Sequence, residues 1–243
     1  MAIRRHLTLA KAFGKDLRRR EGQNLVAFGV FGSVGRGEER RHSDVDILVV
    51  VKRKRPWIRH EVRDGIALTV LQLTPADAKA EVTGSRQDLD AALGGWASLK
   101  PLYDPTGLLR RLKDHARHPD PHQFREAAYL AFLEAFEDVG KVWNAVEEQD
   151  VEEAREMAIW FSTAAAGALF NLYGRVLTTG RRAFIEIRRY GELGTAIRRL
   201  RYTPLSVSET HHLSESIWGR LLDRAEEKGL RLPSFPRDSR GTL

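Results

Sequence analysis

The chain predicts an α+β protein, with an N-terminal domain built on a mixed sheet flanked by helices and a C-terminal α-helical bundle. Three observations carry this. Short apolar runs containing β-branched residues at 25–31, 45–51 and 66–73 read as buried strands. Beyond residue 121, Ala, Leu, Phe and Trp recur at spacings of three and four over 122–148, 151–178 and 208–229, the pattern of packed amphipathic helices. Between the two regions lies His118-Pro119-Asp120-Pro121, whose prolines cannot continue a helix. The domains are therefore drawn at 1–120 and 121–243.

Each element has its own signal. Residues 2–20 place Leu7, Leu9, Ala10 and Phe13 on one side of a helix. The run from Leu25 to Phe31 is closed by Gly32, so a strand ends there in a turn. The third strand, 66–73, follows a turn at Asp64-Gly65. Thr74-Pro75-Ala76-Asp77 reads as a helix start, with Thr74 as cap and Pro75 at the first helical position. A helix from about 106 to 115 runs into the proline-rich boundary.

Composition bounds the chemistry. At 243 residues the chain can bury a sizeable core. It has no cysteine, which excludes disulfides and thiolate metal sites and suits a reducing compartment. No apolar run approaches about 18 residues and no signal-peptide pattern opens the chain, so a cytoplasmic protein with no membrane association is expected. No repeat or low-complexity segment is apparent. The net charge of +7 is unevenly spread: residues 1–120 hold 23 of 40 basic and 15 of 33 acidic residues, leaving 17 and 18 in the remainder. Residues 121–160 contain ten acidic side chains against Arg125, Lys141 and Arg155. That segment reads either as a wall for a cationic substrate or as a solvated helix face.

The chemistry concentrates in Gly32-Ser33-Val34-Gly35-Arg36-Gly37 and Ser43-Asp44-Val45-Asp46. Glycines let the backbone approach a ligand closely, so amide N–H groups and the Ser33 hydroxyl can face phosphate oxygens. Asp44 and Asp46 are two residues apart at a strand start, where side chains alternate, so both carboxylates project on one side. Adjacent carboxylates repel unless a cation lies between them. Mg²⁺ held by carboxylates and substrate phosphates satisfies the pair and would orient a triphosphate for attack at its α-phosphorus.

This ordered set resembles the signature of the DNA polymerase β-like nucleotidyltransferase superfamily. Within it the chain resembles the kanamycin nucleotidyltransferase (aminoglycoside 4′-adenylyltransferase) family. The resemblance runs through Gly29–Arg36, Ser43–Asp46, Pro101-Leu102-Tyr103-Asp104, the segment from Phe136 to Asn144, and a C-terminal amphipathic helix with Trp218. It implies transfer of AMP from ATP, or another nucleoside triphosphate, to a hydroxyl of a small cationic acceptor, with aminoglycosides as the acceptor class and pyrophosphate released. Asp44 and Asp46 would hold metal, and Gly32, Ser33, Arg36 and Ser43 would shape the triphosphate site. It further implies Glu137 as the general base and Lys141 as a phosphate contact, one helical turn apart, in a homodimer with shared active sites. Read without the resemblance, Glu137 and Lys141 form an ordinary exposed i,i+4 ion pair.

One position departs from the superfamily. A third acidic residue on a later strand is general there, and Thr69 stands in its place. Glu61 or Asp64 could substitute, the two aspartates could suffice, or the site could bind nucleotide without turnover. The basic N-terminal half keeps RNA or protein open as an alternative acceptor. Lys52-Arg53-Lys54-Arg55 beside Trp57 reads as a solvated loop or as a nucleic-acid contact. The eight histidines show no paired ligand spacing apart from the adjacent His211-His212. Arg110-x4-His115 and Arg117-x4-His122 superficially match a ribonuclease motif and sit at the boundary, which argues against that role.

Overall fold

The computed structural model describes residues 3–54, 58–177 and 180–240. Two compact units emerge: the chain up to Gly84 with Ala91–Pro119, and Ser85–Asp90 with the chain from Asp120 onward.

The first unit runs α1 (Ile3–Glu21), β1 (Leu25–Val30), α2 (Gly32–Arg36), β2 (Val45–Val51), β3 (Ile58–Arg63), β4 (Ile66–Leu73), α3 (Pro75–Thr83), α4 (Leu89–Ala97), β5 (Lys100–Tyr103) and α5 (Leu108–Arg117). Its five strands lie in the order β3-β4-β2-β1-β5. Only β2 and β4 pair in parallel; the other neighbours are antiparallel. The mixed sheet follows from this. Strand β2 is central, and six of its seven residues are buried, which is why Val45-Asp46-Ile47-Leu48-Val49-Val50-Val51 is almost unbrokenly apolar. One sheet face, including Val30, Val45, Ile47, Ile66 and Leu68, packs against Leu9, Ala10, Phe13 and Leu17 of α1.

Local signals were accurate where the chemistry was local. The start of α3 is a full capping box: Asp77 N–H donates to Thr74 Oγ1 and Thr74 N–H to Asp77 Oδ2, both at 3.1 Å. Two strands lacked a hydrophobic signal. Strand β3 is an edge strand whose Arg59, Glu61 and Arg63 alternate with apolar residues and His60, and β5 has four residues, one of them Pro101. After β2, Lys52, Arg53 and Lys54 are exposed, with Lys54 paired to Asp77 at 2.9 Å; Arg55 and Trp57 lie outside the described residues.

The second unit is helical: α6 (Pro121–Glu147), α7 (Val151–Leu172), α8 (Gly180–Glu186), α9 (Gly191–Tyr202) and α10 (Val207–Glu227). Pro121 opens α6 at its first position, and Asp120 caps it by accepting the His122 N–H at 2.9 Å. Helices α6 and α7 form a hairpin with many small buried residues, among them Ala128, Ala131, Ala135, Ala154, Ala158 and Ala165. Trp218 of α10 is fully buried and donates its indole N–H to Pro236 O at 2.7 Å, beside Phe132, Phe136 and Phe235. Helices α8 and α9 were not anticipated, and the helix expected to reach 178 ends at Leu172. Among the described residues no helix is long and apolar enough to cross a membrane.

Candidate active site

The glycine-rich segment is a single helical turn, α2, rather than an open loop. Phe31 N–H donates to Asp46 O at 3.0 Å, which ties the start of the turn to β2. Gly32 takes a left-handed conformation, φ +62°, and a Cβ there would overlap Asp46 Oδ2. The chain therefore needs glycine twice over at this point, for its dihedral and for the carboxylate lying on it. Gly32 N–H donates to Ser98 Oγ at 3.2 Å, and Ser98 Oγ–H donates to Gly95 O at 2.7 Å. At Gly35 a Cβ would press on Ser98 O at 2.5 Å and Val30 O at 3.0 Å. The N–H groups of Gly35 and Gly37 are used inside the turn, on Phe31 O and Val34 O. No acceptor among the described residues takes the N–H of Ser33 or Val34, so these, with the Ser33 hydroxyl, are the donors left for phosphate.

Asp44 is exposed and Asp46 half-buried. Burial, with the Asp44 charge added, pushes the Asp46 carboxyl up to about 6, and the Arg36 guanidinium opposes this. Arg36 itself pairs with Glu38 at 3.1 Å. Two neighbouring carboxylates are hard oxygen donors with a charge to be neutralised, and they fit a divalent cation. Ser43 organises the approach to this pair. Its Oγ accepts the Arg40 N–H at 2.9 Å, and its carbonyl lies 3.0 Å from Nε2 of His6.

Sheet register places the missing third acid. Asp46 pairs with Thr69, and Thr69 pairs with His60, so these three share one sheet face. Glu61 pairs with Leu68, which puts it on the opposite face, with α1. There it is ion-paired with Arg59 at 3.3 Å and Arg63 at 2.5 Å. Asp64 sits in the β3–β4 turn with φ +52°. Neither Glu61 nor Asp64 can take the place of the third acid beside Asp46. A period of two decides this for Glu61, and the turn position decides it for Asp64.

In the second unit, Lys141 Nζ lies 2.8 Å from Glu137 Oε1 and 3.5 Å from Asp138 Oδ1. The Lys141 ammonium holds the exposed Glu137 carboxyl below its usual range, and Glu137 raises Lys141 in return. Burial raises Asp138 despite Lys141. Glu134 is also raised, by burial first and then by Asp138, Asp88 and Glu137. Glu137 and Asp138 thus gather on one lysine, with Glu134 in their field. Elsewhere in this unit, His211, His212 and Glu215 bring ligand atoms within 4.8 Å of one another, but His211 and Glu215 already bond Ser239.

Sequence reasoning missed two buried groups that build the site: Ser98, which receives the Gly32 N–H, and His6, which contacts the Ser43 carbonyl. Both act across more than 35 residues of chain, and neither carries a local motif.

A mixed five-stranded sheet, a glycine-serine turn and an Asp-x-Asp on the adjacent strand define a nucleotidyltransferase domain, and the nucleotidyltransferase domain family matches residues 11–75. The chain carries a nucleotidyltransferase domain, which makes it a transferase enzyme. Over 217 residues it is similar, at 24% identity, to aminoglycoside nucleotidyltransferase (4') of a Bacillus species and of Staphylococcus aureus, covering 86% of this chain and 85% of each relative. The fold is shared with a nucleotidyltransferase-like protein from Exiguobacterium sibiricum, at TM-score 0.60 and 11% identity over 90% of this chain and 77% of the other. The resemblance read from Gly32–Arg36 and Asp44–Asp46 is borne out, as is the α+β architecture.

Proposed function

We propose that the protein transfers AMP from ATP to a hydroxyl of an aminoglycoside-like, cationic acceptor and releases pyrophosphate. The observation that carries this is Asp46 lying against Gly32 with Asp44 two residues before it, and the Ser33 and Val34 N–H groups taken by no acceptor among the described residues. A divalent cation on that pair, taken as Mg²⁺, would orient the triphosphate and offset charge on the leaving pyrophosphate. Gly32, Ser33, Arg36 and Ser43 shape the phosphate site from the protein side.

Glu137 is ionised, as a proton acceptor must be, and takes the hydroxyl proton as the acceptor oxygen bonds to the α-phosphorus. The bond from the α-phosphorus to the β-phosphate oxygen breaks in the same step, and Lys141 offsets charge on the phosphates. The carboxylates of Asp88, Glu134 and Asp138 supply negative potential for a polycationic acceptor, and the acceptor class named by both curated relatives is of that kind. A division into a nucleotidyltransferase domain, 1–120, and a helical domain, 121–243, working in a cytoplasmic homodimer with shared sites, belongs to the same reading.

The test is pyrophosphate release from Mg-ATP with a panel of aminoglycosides, with acceptor mass read in parallel. A product heavier by one AMP, absent with Asp46→Asn and Glu137→Gln, is the expected result. Nucleotide binding without product on any aminoglycoside overturns the acceptor class.

A further inference from the structure

Three ligand-type side chains to which nucleotidyl transfer assigns no role stand together on α10: His211, His212 and Glu215. Glu215 follows His211 by four residues and His212 by three, the two spacings that put side chains a turn apart on one helix surface. One carboxylate therefore meets both imidazoles. A ligand atom from each of the three lies within 4.8 Å of the other two. His211 Nε2 and Glu215 Oε1 are 3.4 Å apart, the separation of two donors on a tetrahedral ion with bonds of about 2.1 Å.

The C-terminal segment holds this pair in place. Ser239 Oγ lies 2.8 Å from His211 Nε2 and 3.2 Å from Glu215 Oε1, so a single hydroxyl keeps both side chains converging on one point. His212 is exposed, its ring centroid 5.7 Å from that of His211, and no hydrogen bond or ion pair engages it among the described residues.

We propose that His211, His212 and Glu215 form a second divalent-metal site, selective for an ion of the zinc class over Mg²⁺, and that the bound ion displaces the Ser239 hydroxyl. Two histidines and one glutamate, with a fourth position left to water, are a zinc donor set. Mg²⁺ instead demands an octahedron of oxygens, which two imidazoles do not supply. Displacing the hydroxyl leaves the C-terminal segment seated, because Trp218 still donates to Pro236 O and Arg237 still pairs with Asp223 at 2.7 Å.

The test is a calorimetric Zn²⁺ titration of the full-length, tag-free protein carrying Asp46→Asn, which removes the carboxylate pair as a competitor, with zinc K-edge absorption reading the ligands. One Zn²⁺ per chain should bind through two imidazole nitrogens, and a tenfold excess of Mg²⁺ should not displace it. On that background, His212→Ala should keep the metal-free thermal stability and bind Zn²⁺ about 10-fold or more weakly, and Glu215→Gln should weaken binding as much. Ser239→Ala should bind Zn²⁺ at least as tightly as the Asp46→Asn protein. No Zn²⁺ uptake, undiminished affinity in either His212→Ala or Glu215→Gln, or a zinc spectrum without imidazole overturns the site. Displacement by Mg²⁺ overturns its selectivity, and weaker binding in Ser239→Ala overturns the displacement of the hydroxyl.

Discussion

Asp46 fills the space a side chain on Gly32 would need: a Cβ on the glycine would overlap Oδ2 of the aspartate. Gly32→Ala must also adopt φ near +62°, a strain of about 1–3 kcal/mol for a residue with a side chain. The carboxylate is displaced as well, and misplacement on that scale costs about 100-fold in rate. Pyrophosphate release should fall by that factor with far-UV circular dichroism unchanged; wild-type turnover would disprove the coupling of turn and carboxylate.

Ser98→Ala removes the acceptor of the part-buried Gly32 N–H and leaves it without that partner. The expected cost is about 1–3 kcal/mol, seen as a lower Tm, together with a raised KM for nucleotide. If calorimetry and kinetics both return wild-type values, the turn holds its shape without Ser98.

The raised Asp46 pKa predicts a pH dependence with a definite sign. Its value of about 6 in the folded chain exceeds the unfolded value of about 3.9, so between these pH values the folded form binds more protons. Its contribution to stability is fully present below about pH 4 and is lost as pH rises through 6. Asp46→Asn should therefore gain stability relative to wild type at pH 7.5 compared with pH 4. Divalent cations, which need the ionised pair, should raise Tm at pH 7.5 and hardly at all at pH 5. A cation effect equal at both values argues against binding through Asp46.

Glu137 and Lys141 form an exposed pair, so neutralising either should leave Tm close to wild type. As a general base, Glu137 should matter to kcat by about 100- to 10,000-fold when changed to Gln. Near-normal kcat in Glu137→Gln would return the pair to being a surface contact.

Trp218 anchors the segment around Pro236 to the helical core. Trp218→Ala should cost about 3–5 kcal/mol, whereas Trp218→Phe keeps most of the packing and loses chiefly the hydrogen bond to Pro236 O. Equal destabilisation by both, measured by urea denaturation, would assign the effect to the hydrogen bond rather than to ring volume.

How much of this was legible follows from the range of the forces involved. The capping box at Thr74, the apolar run of β2 and the amphipathic patterns of α6, α7 and α10 are local preferences, and they could be read directly. Strand β3 could not, because an exposed edge strand is selected for charge as much as for burial, and its polar residues masked its period.

The carboxylate pair and the glycine-serine turn were visible because adjacent residues create both, and so was the class of chemistry. The partners of that turn were not visible. Ser98 reaches Gly32, and His6 reaches Ser43, only when the chain brings distant segments together. The face on which each strand residue falls was likewise undecided until strand pairing set the register. One residue of offset separates Glu61, ion-paired on the α1 side, from His60, on the face of Thr69 and Asp46. The sequence by itself determined the fold class, the phosphate turn and the two carboxylates, since their physics is carried by neighbours in the chain. Tertiary structure alone decided that Glu61 falls on the face away from Asp46, because pairing register, and not residue identity, assigns a side chain to a face.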